Sequence, residues 1–132
     1  MIRIKKQILK EMAAHASGNS LLECCGLLAG HQGVSTRIFP ANNALASATA
    51  YEIAPQELFQ HMREIRRARL ELMGIYHSHP NGDNTPSARD IEQAYYPDVA
   101  YFILSPRHDA PNPVRAFTIQ NGKAVEVDIQ IV

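Results

Sequence analysis

The chain has no apolar run approaching the roughly 18 residues that a membrane-spanning helix needs. It also carries no net charge, because 13 Lys and Arg offset 13 Asp and Glu. Neutrality argues against a dedicated binder of nucleic acid or of a membrane surface, which is usually basic. The nearest thing to a basic patch is Arg63, Arg66, Arg67 and Arg69. Glu64 and Glu71 are interleaved with them, so a solvated helix face is the expected reading. Cysteine is scarce: Cys24 and Cys25 stand side by side, and there is no CxxC. This argues against a secreted disulfide scaffold and for a reducing, cytoplasmic setting. The N-terminal MIRIKKQILKEM is charged and lacks the apolar stretch of a signal peptide.

What is present is an ordinary globular composition, 45% apolar and 20% charged over 132 residues. That length suits a single domain, 1–132, with one sizeable core. Residues 1–5 alternate and read as a short strand. A helix is expected over 7–15, stopped near Gly18. The run ECCGLLAG, 23–30, reads as a buried strand, and 34–39 as a second strand after a turn. Residues 40–50 are small and polar, a loop, and 49–53 could form a short strand. Pro55 opens a helix over PQELFQHMREIRRARLE, with Leu58, Phe59, Met62, Ile65 and Leu70 roughly marking its apolar face. Residues 72–76 form a strand that runs into His77. Thr85 and Pro86 resemble an N-cap and first helical residue for SARDIEQAYY. Strands follow at 100–104, 115–119 and 124–131, with Asn121-Gly122 as a hairpin turn. The mixed order predicts an α/β (α+β layered) domain, a mixed sheet packed between helices.

The chemistry concentrates in one pattern: His77-x-His79, seven residues, Ser87-x-x-Asp90. Two histidines at i and i+2 of a strand share a face, with Cα atoms about 6.5–7 Å apart. On that base two imidazoles can converge on one ion, with Zn–N near ~2.0–2.1 Å. Pro80 and the NGDN turn reverse the chain and start a helix beside the strand end. Ser87 and Asp90, three apart, share one face of that helix. Two histidines and one carboxylate make a catalytic zinc set that leaves a fourth position for water. The same ligands also suit iron, cobalt or manganese; hydrolysis favours zinc. Each part alone has a plainer explanation, and Ser87-x-x-Asp90 also fits a simple helix cap. Jointly they arise by chance roughly once in a few thousand such chains.

HSHPNGDNTPSARD resembles the signature of the JAMM (MPN+ or JAB) metalloprotease family, and ECCGLLAG resembles its small prokaryotic members. The resemblance covers essentially the whole chain. It implies a curved mixed sheet of cytidine-deaminase-like architecture. It implies that His77, His79 and Asp90 bind zinc. It further implies that Glu23 is the general base toward the attacking water and that Ser87 donates a hydrogen bond to the developing oxyanion. Family members cut at the C-terminal Gly-Gly tail of ubiquitin-like proteins, and some release adducts from ubiquitin-like sulfur carriers. The expected activity is therefore a zinc isopeptidase or peptidase acting on such a tail. The tail is expected to dock by strand addition near 42–54. Two alternatives stand beside it. One is a non-catalytic MPN-type interaction module. The other is a zinc deaminase, which would need H-x-E and P-C-x-x-C, both missing. Successive strand residues face opposite ways, so Cys24 and Cys25 are not expected to share an ion, and at least one is a small buried hydrophobe. His15, His31, His61 and His108 lack ligand spacing.

Overall fold

A computed structural model describes residues 1–107 and 109–132; His108 lies outside the described residues. The elements are β1 (Ile2–Ile4), α1 (Lys6–Gly18), β2 (Cys25–His31), β3 (Val34–Ala41), α2 (Pro55–Arg67), β4 (Glu71–Ser78), α3 (Ala88–Glu92), β5 (Ala100–Leu104), β6 (Val114–Gln120), β7 (Lys123–Val127) and β8 (Ile129–Ile131). Among the described residues the eight strands form one mixed sheet in the order β7-β6-β5-β4-β2-β3-β1-β8. The β4–β5 pair and both pairs made by β1 are parallel, and the rest are antiparallel. The expected layered α/β class is therefore what forms.

The expected last strand, 124–131, is two strands. β7 and β8 lie at opposite edges of the sheet yet only Asp128 separates them in sequence. The sheet must curl until its edges nearly meet, and the amide of Ile2 in β1 fixes the start of β8 by donating to the Asp128 carbonyl at 2.8 Å. The curl creates two unlike faces. Alternation sends Leu28, Tyr76, Phe102 and Ala116 to the face that also gathers Val127 and Ile129 from the two edges, the concave one. Helix α1 fills it with Ile8, Met12 and Ala16. Leu27, Ile75, Tyr101, Ile103 and Phe117 point the other way, under Leu58, Met62 and Ile65 of α2 and Ile91 of α3. Burying side chains of this size contributes about 1.5–3 kcal/mol each.

Two tight hairpins join neighbouring strands, β2 to β3 and β6 to the edge strand β7. Gln32-Gly33 and Asn121-Gly122 both take positive φ at consecutive residues (53° and 77°, 52° and 75°). That is the mirror-image turn whose twist matches paired strands. Elsewhere the expectations need correcting. Residues 49–53, all described, hold no strand. A side chain organises this loop in place of a ladder, as described below. In α2 the true stripe is Leu58, Met62 and Ile65; Phe59, offset by one residue, is 66% exposed. Helix α2 ends at Arg67, and Arg69 closes it with φ 59°. Helix α3 is only five residues long, and its N-cap is Ser87, not Thr85.

Candidate metal centre

Strand β4 carries His77 near its end and delivers His79 one step beyond. Both rings are buried. Their Nε2 atoms are 3.1 Å apart. Asp90 Oδ2 closes the triangle, 3.2 Å from His77 Nε2 and 3.0 Å from His79 Nε2. A tetrahedral ion with ligands at ~2.0–2.1 Å needs ligand atoms about 3.3 Å apart, so the triangle has the size of one face of such a site.

The donor chemistry points the same way. His79 Nδ1 donates to the Asp83 carbonyl. In the neutral ring this leaves Nε2 as a bare lone pair, facing the carboxylate of Asp90 and a second ring nitrogen. Three electron-rich atoms converge there, an arrangement stabilised by a cation between them. Their titration reflects it. Burial holds His77 below the ordinary histidine range despite the pull of Asp90. Burial also opposes charge on His79, but Asp90 and the Asp83 carbonyl outweigh it and raise the group. Burial works against the charged form of Asp90 too, yet both histidines hold its carboxyl well below the usual range.

Asp90 is positioned by a capping box. Ser87 Oγ accepts from the Asp90 amide at 3.0 Å, and the Ser87 amide donates to Asp90 Oδ2 at 2.9 Å. Ser87 and Asp90 are therefore N-cap and N3 and not two residues on one helix face, which is the correction the short α3 brings. With its lone pair used in the cap, the Ser87 hydroxyl hydrogen remains available to an acceptor. Ser87 lines a cleft of about 410 Å³ together with Glu23, Thr49, His79 and Asp83.

Glu23 arrives from the other side through strand pairing. Cys25 lies opposite His77 in the β2–β4 ladder. The pairing continues outward as the Ser78 amide donates to the Cys24 carbonyl at 3.0 Å and the Cys24 amide donates to Ser78 Oγ at 2.9 Å. That register carries Glu23 to the level of His79. Glu23 is 4% exposed, its Oε1 has no hydrogen-bond partner, and its carboxylate comes within 4.8 Å of ligand atoms of both histidines. It makes no hydrogen bond to either ring among the described residues. Burial pushes its carboxyl up to about 7, with Asp90 adding to the rise and His79 and Arg89 opposing it.

Three contributors escaped the sequence. Tyr51 stacks on His77, Asp83 orients His79 through its backbone carbonyl, and Asn43 ties the 42–54 loop to Glu23. Tyr51 is the only aromatic in that loop, its one local signal. The loop is not a strand, and the sheet edges are β7 and β8, so the expected strand addition at 42–54 has no strand to add to. Cys24 and Cys25 are both buried. Burial raises both thiols, Cys25 to about 12, so neither offers a thiolate near neutral pH. His15 bonds the Tyr76 hydroxyl at 2.7 Å, His61 pairs with Glu57 at 3.2 Å, and His31 is exposed; none joins the centre.

Comparison with known proteins gives a consistent set. The family model described as prokaryotic homologs of the JAB domain matches residues 5–120. A desampylase of Haloferax volcanii is 37% identical over 105 residues, 77% of this chain and 76% of the relative. A CysO-cysteine peptidase of Mycobacterium tuberculosis is 31% identical over 131 residues, 98% of this chain and 90% of the relative. Among solved structures, a Desulfitobacterium hafniense protein superposes with TM-score 0.87 at 30% identity, covering 100% of this chain and 93% of its own.

Proposed function

The chain belongs to the family of prokaryotic homologs of the JAB domain, and from that premise we propose that it is a zinc peptidase acting on the C-terminal tail of ubiquitin-like sulfur-carrier proteins. It is a hydrolase of the JAMM type. The relatives named above are a desampylase and a CysO-cysteine peptidase, and in this reading the substrate is joined through its C-terminus to another group. The observation that carries the reading is the His77, His79 and Asp90 triangle, with edges of 3.0–3.2 Å, next to an unbonded, buried Glu23.

In this reading His77, His79 and Asp90 hold the zinc. A bound zinc polarises the scissile carbonyl and brings the pKa of water to roughly 7. Glu23 takes a proton from the attacking water and passes it to the leaving nitrogen as the C–N bond breaks. A carboxylate pushed up to about 7 is suited to give as well as take a proton near neutral pH. Ser87 donates its hydroxyl hydrogen to the carbonyl oxygen as charge develops there. The cleft beside these groups accepts the tail in extended form. No helix among the described residues is long and apolar enough to cross a membrane. A cytoplasmic setting is part of the reading, and two buried cysteines outside any disulfide fit it.

Ser87→Ala separates the two tasks of that side chain. The loss of an oxyanion donor lowers kcat by about 100–1,000-fold. The loss of the cap destabilises the protein by about 1 kcal/mol, and zinc stays bound. Stopped assays on a carrier protein with a C-terminal adduct, with chemical denaturation alongside, check both. An unchanged kcat would remove Ser87 from the reaction. The substrate class is tested by comparing that carrier with one whose tail lacks its final Gly-Gly: only the first is cleaved, and equal cleavage of both contradicts tail recognition.

A further inference from the structure

The two histidines of the centre are held in different ways. His79 gives its Nδ1 hydrogen to the Asp83 carbonyl. His77 Nδ1 is buried with no hydrogen-bond partner among the described residues. A histidine that binds a metal through one nitrogen almost always donates the other to an oxygen, which sets the ring's orientation. His77 has an aromatic ring instead. Tyr51 stacks on it with centroids 4.5 Å apart and planes 23° from parallel. Offset stacking at this separation is favourable and restricts tilt of the ring.

The loop that carries Tyr51 is built around it. The Asn43 carboxamide donates to the Ala50 carbonyl at 2.9 Å and accepts from the Glu52 amide at 3.2 Å, the residues on either side of Tyr51. The same carboxamide also donates to the carbonyls of Glu23 and Ser47 and accepts from the Leu45 amide. The Ala44 amide adds a backbone bond to the Glu52 carbonyl at 2.8 Å. A loop with no strand or helix of its own is thus pinned at both shoulders of one tyrosine and to the backbone of Glu23.

We propose that Tyr51 is a positioning residue for the metal ligand His77, holding the imidazole by stacking where a hydrogen-bonded oxygen ordinarily holds it. The inference rests on the zinc reading above. It locates the function of the 42–54 loop in the metal centre itself. The face of the tyrosine is what matters, and its hydroxyl is dispensable.

Zinc affinity, measured by competition with a chromophoric chelator, tests this without reference to turnover. Tyr51→Phe keeps the stack, and its affinity stays within about threefold of the parent. Tyr51→Leu fills the space without a ring, and its affinity falls about tenfold or more. Parent-like affinity in Tyr51→Leu would overturn the proposal, as would a tenfold loss in Tyr51→Phe. If Tyr51→Leu unfolds before it can be titrated, the ring protons of His77 decide by NMR. Upfield ring-current shifts in both the parent and Tyr51→Phe support the stack, and unshifted protons overturn it. A parent that binds no zinc removes the metal reading and this role with it. A parent that binds zinc no better than Tyr51→Leu removes the role of Tyr51 alone.

Discussion

Asp90→Ala is expected to leave a folded protein with neither zinc nor peptidase activity. The Oδ2 atom it removes lies 3.2 Å from His77 Nε2 and 3.0 Å from His79 Nε2 and accepts from the Ser87 amide. Without it, two neutral imidazoles face each other with no anion to balance a divalent cation. Affinity should fall by more than the about 10–100-fold that accompanies loss of an outer-shell partner, and hydrolysis should fall to background. The structural penalty is smaller. Half of the capping box goes, at a cost of about 1 kcal/mol. Linkage gives a readout that needs no substrate. Zinc at a hundred times its Kd stabilises the parent by about 2.7 kcal/mol, and Asp90→Ala should show no such gain. One equivalent of zinc retained by Asp90→Ala would contradict the assignment and would point to Glu23 as the third ligand.

Glu23→Gln should have the opposite profile: one zinc per chain is retained while kcat falls by about 100–10,000-fold. The substitution preserves shape and burial and removes only the proton-accepting oxygen. In this reading Glu23 is not a ligand: among the described residues its Oε1 has no hydrogen-bond partner, so the three ligands remain. The variant should also be at least as stable as the parent in the metal-free state. A carboxyl raised to about 7 by burial and by Asp90 has a folded pKa above its unfolded one. The folded state then binds the extra proton, so metal-free stability falls as pH rises from about 4.5 toward 7. Glutamine carries no such penalty. Elemental analysis with single-turnover rates checks the main claim. Activity within a few-fold of the parent would remove Glu23 as the base.

Much of the centre was legible because it is local. His77, His79, Ser87 and Asp90 lie within one strand–turn–helix unit, and spacing alone brings them to one place. The hairpin at Asn121-Gly122 and the helix after Pro55 were legible for the same reason. What the sequence hid is long-range. Glu23 was identified through family resemblance, and its proximity depends on the register in which Cys25 meets His77. Tyr51 and Asn43 sit in a loop with no periodicity, whose order comes from side-chain hydrogen bonds to backbone. The loop therefore read as a docking strand, whereas it holds no strand and carries the tyrosine that stacks on His77. The break at Asp128 was equally hidden, because 124–131 alternates well enough to be one strand and only closure of the sheet divides it. The overextended α3 and the misplaced cap at Thr85 share a cause: Pro86 fits a first helical position, but the Ser87–Asp90 box starts the helix two residues later, at Ala88.

The claim that matters most is that the His77, His79 and Asp90 triangle holds a zinc that cleaves the tail of a ubiquitin-like carrier. Mass spectrometry of such a carrier bearing a C-terminal cysteine measures it directly. The zinc-loaded protein should remove that cysteine, a chelator should abolish the mass loss, and one equivalent of added zinc should restore it. A carrier whose mass is unchanged by the zinc-loaded protein, or a mass loss that the chelator leaves intact, would contradict it.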